Sequence, residues 1–302
     1  MAEPGAAPSP AGAAPRSVPE LTAALRGGDY LADRGLATAA FVALSLRRPL
    51  LREGEPGVGK TEIAKVLAAV LGRELIRLQC YEGIDTSQAL YEWDYSRQLL
   101  HIRALGDGGA GEEVVDALFG PRFLLERPLL KAVRAGDRAV LLVDEIDRAD
   151  DEFEAFLLEM LSDFQITIPE VGTITADAPP LVVLTSNRTR ELHDALKRRC
   201  LYHWIDYPTA DREVEIVRLR EPQVPEELAR KVVAAVHRLR EMELAKPPGV
   251  AETLDWARTL EFLGEPDLTP EAADLTLGSV LKERDDLELV REDLEEITTR
   301  GR

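Results

Sequence analysis

Apolar positions along the chain recur with two periods, and the switching between them predicts helices and strands in turn. Residues 18–25 and 34–46 carry apolar side chains at helical spacing. Residues 49–52 read as a short strand running into a glycine loop. Residues 61–71 (TEIAKVLAAVL) place Ile63, Ala64, Leu67, Val70 and Leu71 on one helical face. Residues 74–79 alternate as a strand, and 124–135 read as a helix ending at Gly136. Residues 139–143 are all apolar and bounded by charge, the pattern of a strand buried on both faces. Residues 151–161 read as a helix and 165–175 as a hairpin turning around 170–172. Residues 181–185 and 201–205 read as two further strands.

Strand–helix alternation of this kind predicts an α/β core with a mostly parallel, five-stranded sheet flanked by helices. After Pro208 the strand signals stop. Residues 225–244, 251–263 and 270–281 all read as helices, two of them with proline in the first turn. The expected division is an Ala/Pro-rich disordered arm over 1–24, with helical periodicity setting in from Val18. An α/β core over 25–208 and an all-helical domain over 209–302 follow. Eight acidic residues between Glu283 and Glu296 make the end of the chain a solvated helix or a frayed tail.

Composition narrows the classes. The chain has 302 residues, 45% hydrophobic and 30% charged, which excludes a wholly disordered or collagen-like polymer. Acidic residues outnumber basic ones 55 to 37, a net charge of −18. Such a surface repels a phosphate backbone, so wrapping a nucleic acid by overall charge is disfavoured. The longest nearly uncharged apolar run, residues 36–46, is too short to span a bilayer. The first 20 residues lack the basic start and apolar stretch of a secretory leader. Cys80 and Cys200, the only cysteines, cannot build a disulfide framework or a four-thiolate metal site. Both are expected reduced and buried, in a cytoplasmic protein.

The chemistry is concentrated in a few segments. Residues 54–61, GEPGVGKT, match the spacing GxxxxGK[ST], after an expected strand and at the start of an expected helix. Glycines let successive N–H groups turn inward around an anion, and the helix start adds partial positive charge. Lys60 is placed to reach the outer phosphates of a nucleotide and the Thr61 hydroxyl to ligate Mg²⁺. The strand VLLVDE ends in Asp144 and Glu145, at the carboxyl edge where open α/β sheets bind ligands. Asp144 can hold Mg²⁺ and Glu145 can polarise an attacking water, or the acids cap the next helix. Asn187 follows the strand at 181–185, where its amide can orient water or serve the turn. Lys197, Arg198 and Arg199 cluster before the strand at 201–205, and alone would fit a solvated helix end. No two of His101, His193, His203 and His237 have metal-ligand spacing.

Taken in order, GEPGVGKT, VLLVDE, a hairpin, LTSN, LKRRC and a helical domain resemble the AAA+ ATPases. The phrases RLQCYEGID, ALYEWDYSRQLL and KPPGVAETLDWA narrow the likeness to the MoxR-type branch, including CO dehydrogenase accessory ATPases. The resemblance covers roughly residues 25–265. It implies a Walker A loop, with Glu55, Pro56, Gly57, Val58, Gly59, Lys60, Thr61 and Glu62 binding nucleotide. It implies a Walker B pair, with Asp144 and Thr61 on the metal and Glu145 as the base. Asn187 would be the sensor, on a strand lying between the Walker A and Walker B strands. Arg199 would be the arginine finger reaching a neighbouring subunit, with Arg198 the alternate. A branch-specific hairpin would lie between Gln88 and Leu118.

One departure stands out. Such proteins usually carry a sensor arginine early in the third lid helix, whereas residues 249–254 read GVAETL. Either Arg258 substitutes or the contact is absent. Tyr91, Trp93 and Tyr95, spaced by two, would share one face of an extended arm, as hairpin packing or as a grip on a protein client. The implied activity is Mg²⁺-dependent hydrolysis of ATP by a homo-oligomeric ring, a hexamer, that remodels or matures a client such as a cofactor-containing enzyme. The implied partner carries a von Willebrand factor A domain. The competing readings are a nucleic-acid motor and an ATP-gated switch with little hydrolysis.

Overall fold

The continuous apolar runs of the sequence become the middle of a sheet. A computed structural model of the chain describes residues 14–105 and 118–299. Helices α1 (Val18–Gly27) and α2 (Arg34–Leu46) precede β1 (Leu50–Gly54), and α3 (Glu62–Leu71) leads to β2 (Glu74–Gln79). Next come α4 (Thr86–Leu90), β3 (Tyr91–Trp93), α5 (Tyr95–Leu105), β4 (Leu124–Glu126) and α6 (Pro128–Ala135). Then follow β5 (Ala139–Asp144), α7 (Asp151–Asp163), β6 (Gln165–Ile168), β7 (Gly172–Thr175), β8 (Leu181–Ser186), α8 (Asp194–Arg199) and β9 (Leu201–Ile205). The parallel sheet has the order β2-β5-β8-β1-β9. Its inner strands β5 and β8 are buried along their whole length, which is why neither alternates in polarity. In register, Val183 of β8 faces Leu142 of β5 on one side and Leu50 of β1 on the other. The strand carrying Asn187 at its tip therefore lies between the other two motif strands, as the resemblance implied. The expected hairpin is β6–β7, with Ile166 opposite Ile174.

The chain divides into two compact units. One runs from α1 into β9 as far as His203, without the segments Asp29–Leu31 and Gly54–Lys60. Its core packs Leu141 and Val143 with Leu129, Leu130, Phe153 and Leu157 from α6 and α7. The other comprises Trp204–Arg302 together with those two segments. It is helical after β9: α9 (Ala210–Arg220), α10 (Glu226–Glu241), α11 (Val250–Leu263), α12 (Pro270–Val280), α13 (Arg284–Glu292) and α14 (Leu294–Thr299). Its core is separate, built on Val232, Val236, Trp256, Leu260 and Leu277. The buried Trp256 indole donates to Thr276 Oγ1 at 2.7 Å, so its N–H is satisfied.

Several sequence expectations need correction. Helix α1 occupies part of the supposed 1–24 arm. Ser17 caps it, accepting from the Glu20 N–H at 3.3 Å, and Leu21 and Leu25 are buried. Residues 1–13 of that arm lie outside the described residues. The single helix expected over 124–135 is a strand and then a helix, because Arg127 precedes Pro128 and is held extended. Helix α9 was not foreseen. The acidic tail is neither frayed nor fully solvated: Val290 and Ile297 enter the helical core. Asp286 is buried and accepts from the N–H groups of Ala245 and Lys246 at 2.8 and 3.0 Å.

The branch-specific hairpin was placed between Gln88 and Leu118. There β3 pairs with β4, Trp93 opposite Leu124, so the second strand lies beyond that range. Residues 106–117 are outside the described residues. Tyr91, Trp93 and Tyr95 do not share one face of an arm. Trp93 is buried edge-on between Tyr91 and Phe119, at centroid distances of 6.0 and 5.4 Å, while Tyr95 opens α5 and is exposed. Among the described residues no helix is long and apolar enough to cross a membrane.

Candidate functional site

The glycine loop leaves β1 at a crowded point. A Cβ on Gly54 would stand 2.2 Å from the Ile205 carbonyl oxygen, so only glycine fits. Gly57 (φ 77°) and Gly59 (φ 84°) adopt the left-handed conformations that let a short loop turn its N–H groups to one side. Lys60 is buried despite its charge. Its Nζ donates to the Gly54 and Glu55 carbonyl oxygens at 2.8 and 2.6 Å, which folds the loop around its own ammonium group. Glu55, Pro56, Gly57 and Gly59 are exposed, Val58 is buried, and Glu62 is half-buried in the first turn of α3.

At the start of α3, in the first unit, the Thr61 hydroxyl donates to Asp144 Oδ1 at 3.0 Å. Thr185, at the end of β8, donates to the same oxygen at 2.6 Å. Arg77 on β2 pairs with Asp144 Oδ2 at 2.5 Å. Four elements thus converge on one buried carboxylate. Thr185 Oγ1 also accepts from the Glu145 N–H at 2.9 Å, so it fixes the turn after β5. Glu145 sits there at φ 55° and ψ 50°, a left-handed conformation that costs a non-glycine residue about 1–2 kcal/mol. Its half-exposed carboxylate pairs with Arg148 at 3.1 Å. Two hydroxyl and carboxylate oxygens 3.0 Å apart suit adjacent ligands of Mg²⁺, since oxygens at about 2.1 Å in an octahedron are separated by about 3.0 Å. Thr61 and Asp144 therefore fit the metal that the loop chemistry calls for.

Residues 49–200, about half of the chain, match the AAA domain (dynein-related subfamily) family. The chain belongs to the AAA+ ATPases. An uncharacterized protein of Staphylococcus haemolyticus is 23% identical over 217 residues, covering 70% of this chain and 75% of that protein. One from a bovine strain of Staphylococcus aureus is 25% identical over 186 residues, 59% of this chain and 63% of that one. Among solved structures, a point mutant of Thermotoga maritima RuvB superposes with a TM-score of 0.50 at 18% identity, over 95% of this chain and 81% of that chain. That likeness is one of fold.

Other polar groups hold the tips of the strands in this AAA+ chain. Asp147, buried beyond β5, accepts from the Asn187 N–H at 3.2 Å and from the Thr189 N–H and hydroxyl at 2.8 and 2.7 Å. It anchors the Asn187 turn to the acids of β5. Asp147→Ala is expected to lower stability by about 1–3 kcal/mol in a denaturant titration, the cost of orphaning buried donors. Arg199 is exposed at the end of α8, and its guanidinium donates to the Leu158 carbonyl at 2.5 Å. Arg198 is exposed too, and its guanidinium pairs with none of the described residues. Arg48 donates to the carbonyls of Arg198 and Arg199 at 2.8 and 3.0 Å, closing the end of that helix.

Arg258 does not fill the missing sensor position: its guanidinium is paired with Glu221. Asp151, Glu154 and His193 gather within metal-binding reach. Arg190 already supplies the positive charge there, 2.8 Å from Glu154 and 3.5 Å from Asp151. The Cys80 and Cys200 thiols are free and buried, and burial pushes both up to about 12, so neither is a nucleophile at neutral pH.

Sequence reasoning found the motif residues and missed Arg77, Thr185 and Asp147. Thr185 had a signal, a hydroxyl closing an otherwise apolar strand. Asp147 had one also, a second acid three residues after Asp144. Arg77 had none, because an alternating edge strand carries exposed cations routinely.

Proposed function

We propose that the protein is a Mg²⁺-dependent ATP hydrolase of the MoxR type, working as a homo-oligomeric ring that remodels or matures a protein client. The observation that carries the nucleotide reading is the Thr61–Asp144 contact at 3.0 Å, made next in sequence to a loop with two left-handed glycines and an inward-drawn lysine. The loop N–H groups and Lys60 bind the phosphates. Thr61 and Asp144 hold Mg²⁺, which neutralises phosphate charge. Glu145 takes the proton of the attacking water, Asn187 orients that water, and Arg199 of a neighbouring subunit meets the charge spread over the transferred phosphoryl group. The MoxR-type phrases support a hexamer, a von Willebrand factor A partner and a cofactor-containing client such as a dehydrogenase, in the cytoplasm. The −18 net charge weighs against a nucleic-acid motor.

Lys60→Ala tests the loop. Removing one charge-assisted contact to phosphate is expected to weaken ATP binding about 10- to 100-fold in a direct titration. Unchanged affinity would remove the loop from the site.

A further inference from the structure

The glycine loop packs with the helical unit rather than with the sheet it leaves. The contact is made by two glycines. A Cβ on Gly249 would lie 2.5 Å from Gly57 Cα and 2.7 Å from the Gly57 carbonyl oxygen, and a Cβ on Gly57 would lie 2.8 Å from Gly249 Cα. The Val250 N–H, at the start of α11, donates to the Gly57 carbonyl at 3.0 Å. Glu252 stands where a sensor arginine was sought, and its carboxylate accepts from the Gly249 N–H at 2.9 Å. The lid helix meets the loop through main chain alone.

The strap leading to Gly249 is braced from three helices. Asp286 of α13 holds the N–H groups of Ala245 and Lys246. Arg240 of α10 donates from Nε to the Pro248 carbonyl at 2.7 Å. The other two nitrogens of Arg240 grip the fully buried Glu213 of α9 at 2.7 and 2.8 Å, and its guanidinium lies 4.3 Å over the Tyr207 ring. Glu213 also accepts from the Thr253 hydroxyl at 2.6 Å, in the first turn of α11. A buried arginine and carboxylate, each with its bonds satisfied, make a stiff mount. What they mount is the one stretch of lid backbone that touches Gly57.

We propose that Gly249 is a positioning residue for nucleotide binding: the braced lid strap fixes the Gly57 peptide by direct backbone contact, in place of a charged sensor side chain. The proposal rests on the reading of residues 54–61 as a phosphate loop. A glycine-rich loop has many conformations, and ordering each residue on binding costs free energy. A loop already docked on the lid pays less of that cost, and affinity rises accordingly. Opening of the strap would release Gly57, so nucleotide affinity and lid position are linked through this contact.

The test uses the full-length protein and a fluorescent ADP analogue, titrated without turnover, beside steady-state ATP hydrolysis. Gly249→Ala is expected to bind about ten-fold more weakly. Its kcat at saturation should stay near the wild-type value, because no reacting group has moved. Gly278→Ala, where an added Cβ meets nothing within 4 Å, is the matched control and should bind normally. Arg240→Lys keeps a cation beside Glu213 but loses the Nε bond to Pro248. It should raise KM and the dissociation constant about three-fold with kcat retained. This second variant decides the matter if Gly249→Ala does not fold. Wild-type affinity in folded Gly249→Ala and in Arg240→Lys overturns the positioning role alone. Wild-type affinity in Lys60→Ala overturns the phosphate loop itself, and the positioning role with it.

Discussion

Glu145→Gln is expected to bind ATP as the native chain does while turnover falls by about 10²-fold or more, the scale of a lost positioned base. The substitution keeps size and hydrogen-bonding shape and removes only the ability to take a proton. The backbone there is already committed: the residue sits left-handed after β5, its N–H held by the Thr185 hydroxyl. Neither feature depends on the carboxylate, so the fold should be indifferent. The one lost contact is the exposed ion pair with Arg148, worth at most about 1 kcal/mol. Nucleotide affinity from titration and turnover from phosphate release separate the two effects. Near-native turnover in a folded Glu145→Gln protein would remove this residue from catalysis. Equal losses of affinity and turnover would make it a binding residue instead.

How much of this was legible in the sequence depended on what each residue faces. Residues 139–143 and 181–185 could be read as central strands because both faces of β5 and β8 are buried, leaving no polar position to confuse the period. The glycine motif was legible because its chemistry dictates spacing. The left-handed φ values of Gly57 and Gly59 are the physical reason those positions are glycine.

Helix α9 was missed for the converse reason. Its sequence ADREVEIVRLR is mostly charged, and one charge, Glu213, is fully buried, satisfied by Arg240, Thr253 and His237 from two other helices. Partners 24 to 40 residues away cannot be read from a local window. The acidic tail misled similarly: Asp286 looks like one more solvated acid and is a buried acceptor for two backbone N–H groups. Tyr95 misled by spacing alone. A period of two continues a strand only where the strand continues, and α5 begins at that residue. The Gly57–Gly249 contact had no sequence signal, since a glycine before a helix is equally an ordinary start.

Arg199→Ala and Glu145→Gln, each nearly inactive alone, are expected to regain activity when mixed. Phosphoryl transfer spreads negative charge over the γ-phosphate oxygens, and an arginine supplied from outside the site stabilises it by several kcal/mol. Arg199 lies exposed at the end of α8, before the edge strand β9, and its own chain offers its guanidinium only the Leu158 carbonyl. That is a resting contact a neighbouring phosphate can displace. A site in an Arg199→Ala subunit still has its base, and a Glu145→Gln neighbour still has its arginine, so the interface between them holds both groups. Random exchange in an equal mixture makes about a quarter of interfaces complete, and recovered turnover should approach that fraction of the native rate. Recovery absent from rings shown to exchange subunits would place the arginine in its own site or outside the reaction. The adjacent Arg198, exposed and unpaired among the described residues, provides the internal check. If Arg198→Ala is the slow variant that complements Glu145→Gln while Arg199→Ala turns over normally, the finger is Arg198, and the Leu158 contact of Arg199 is structural.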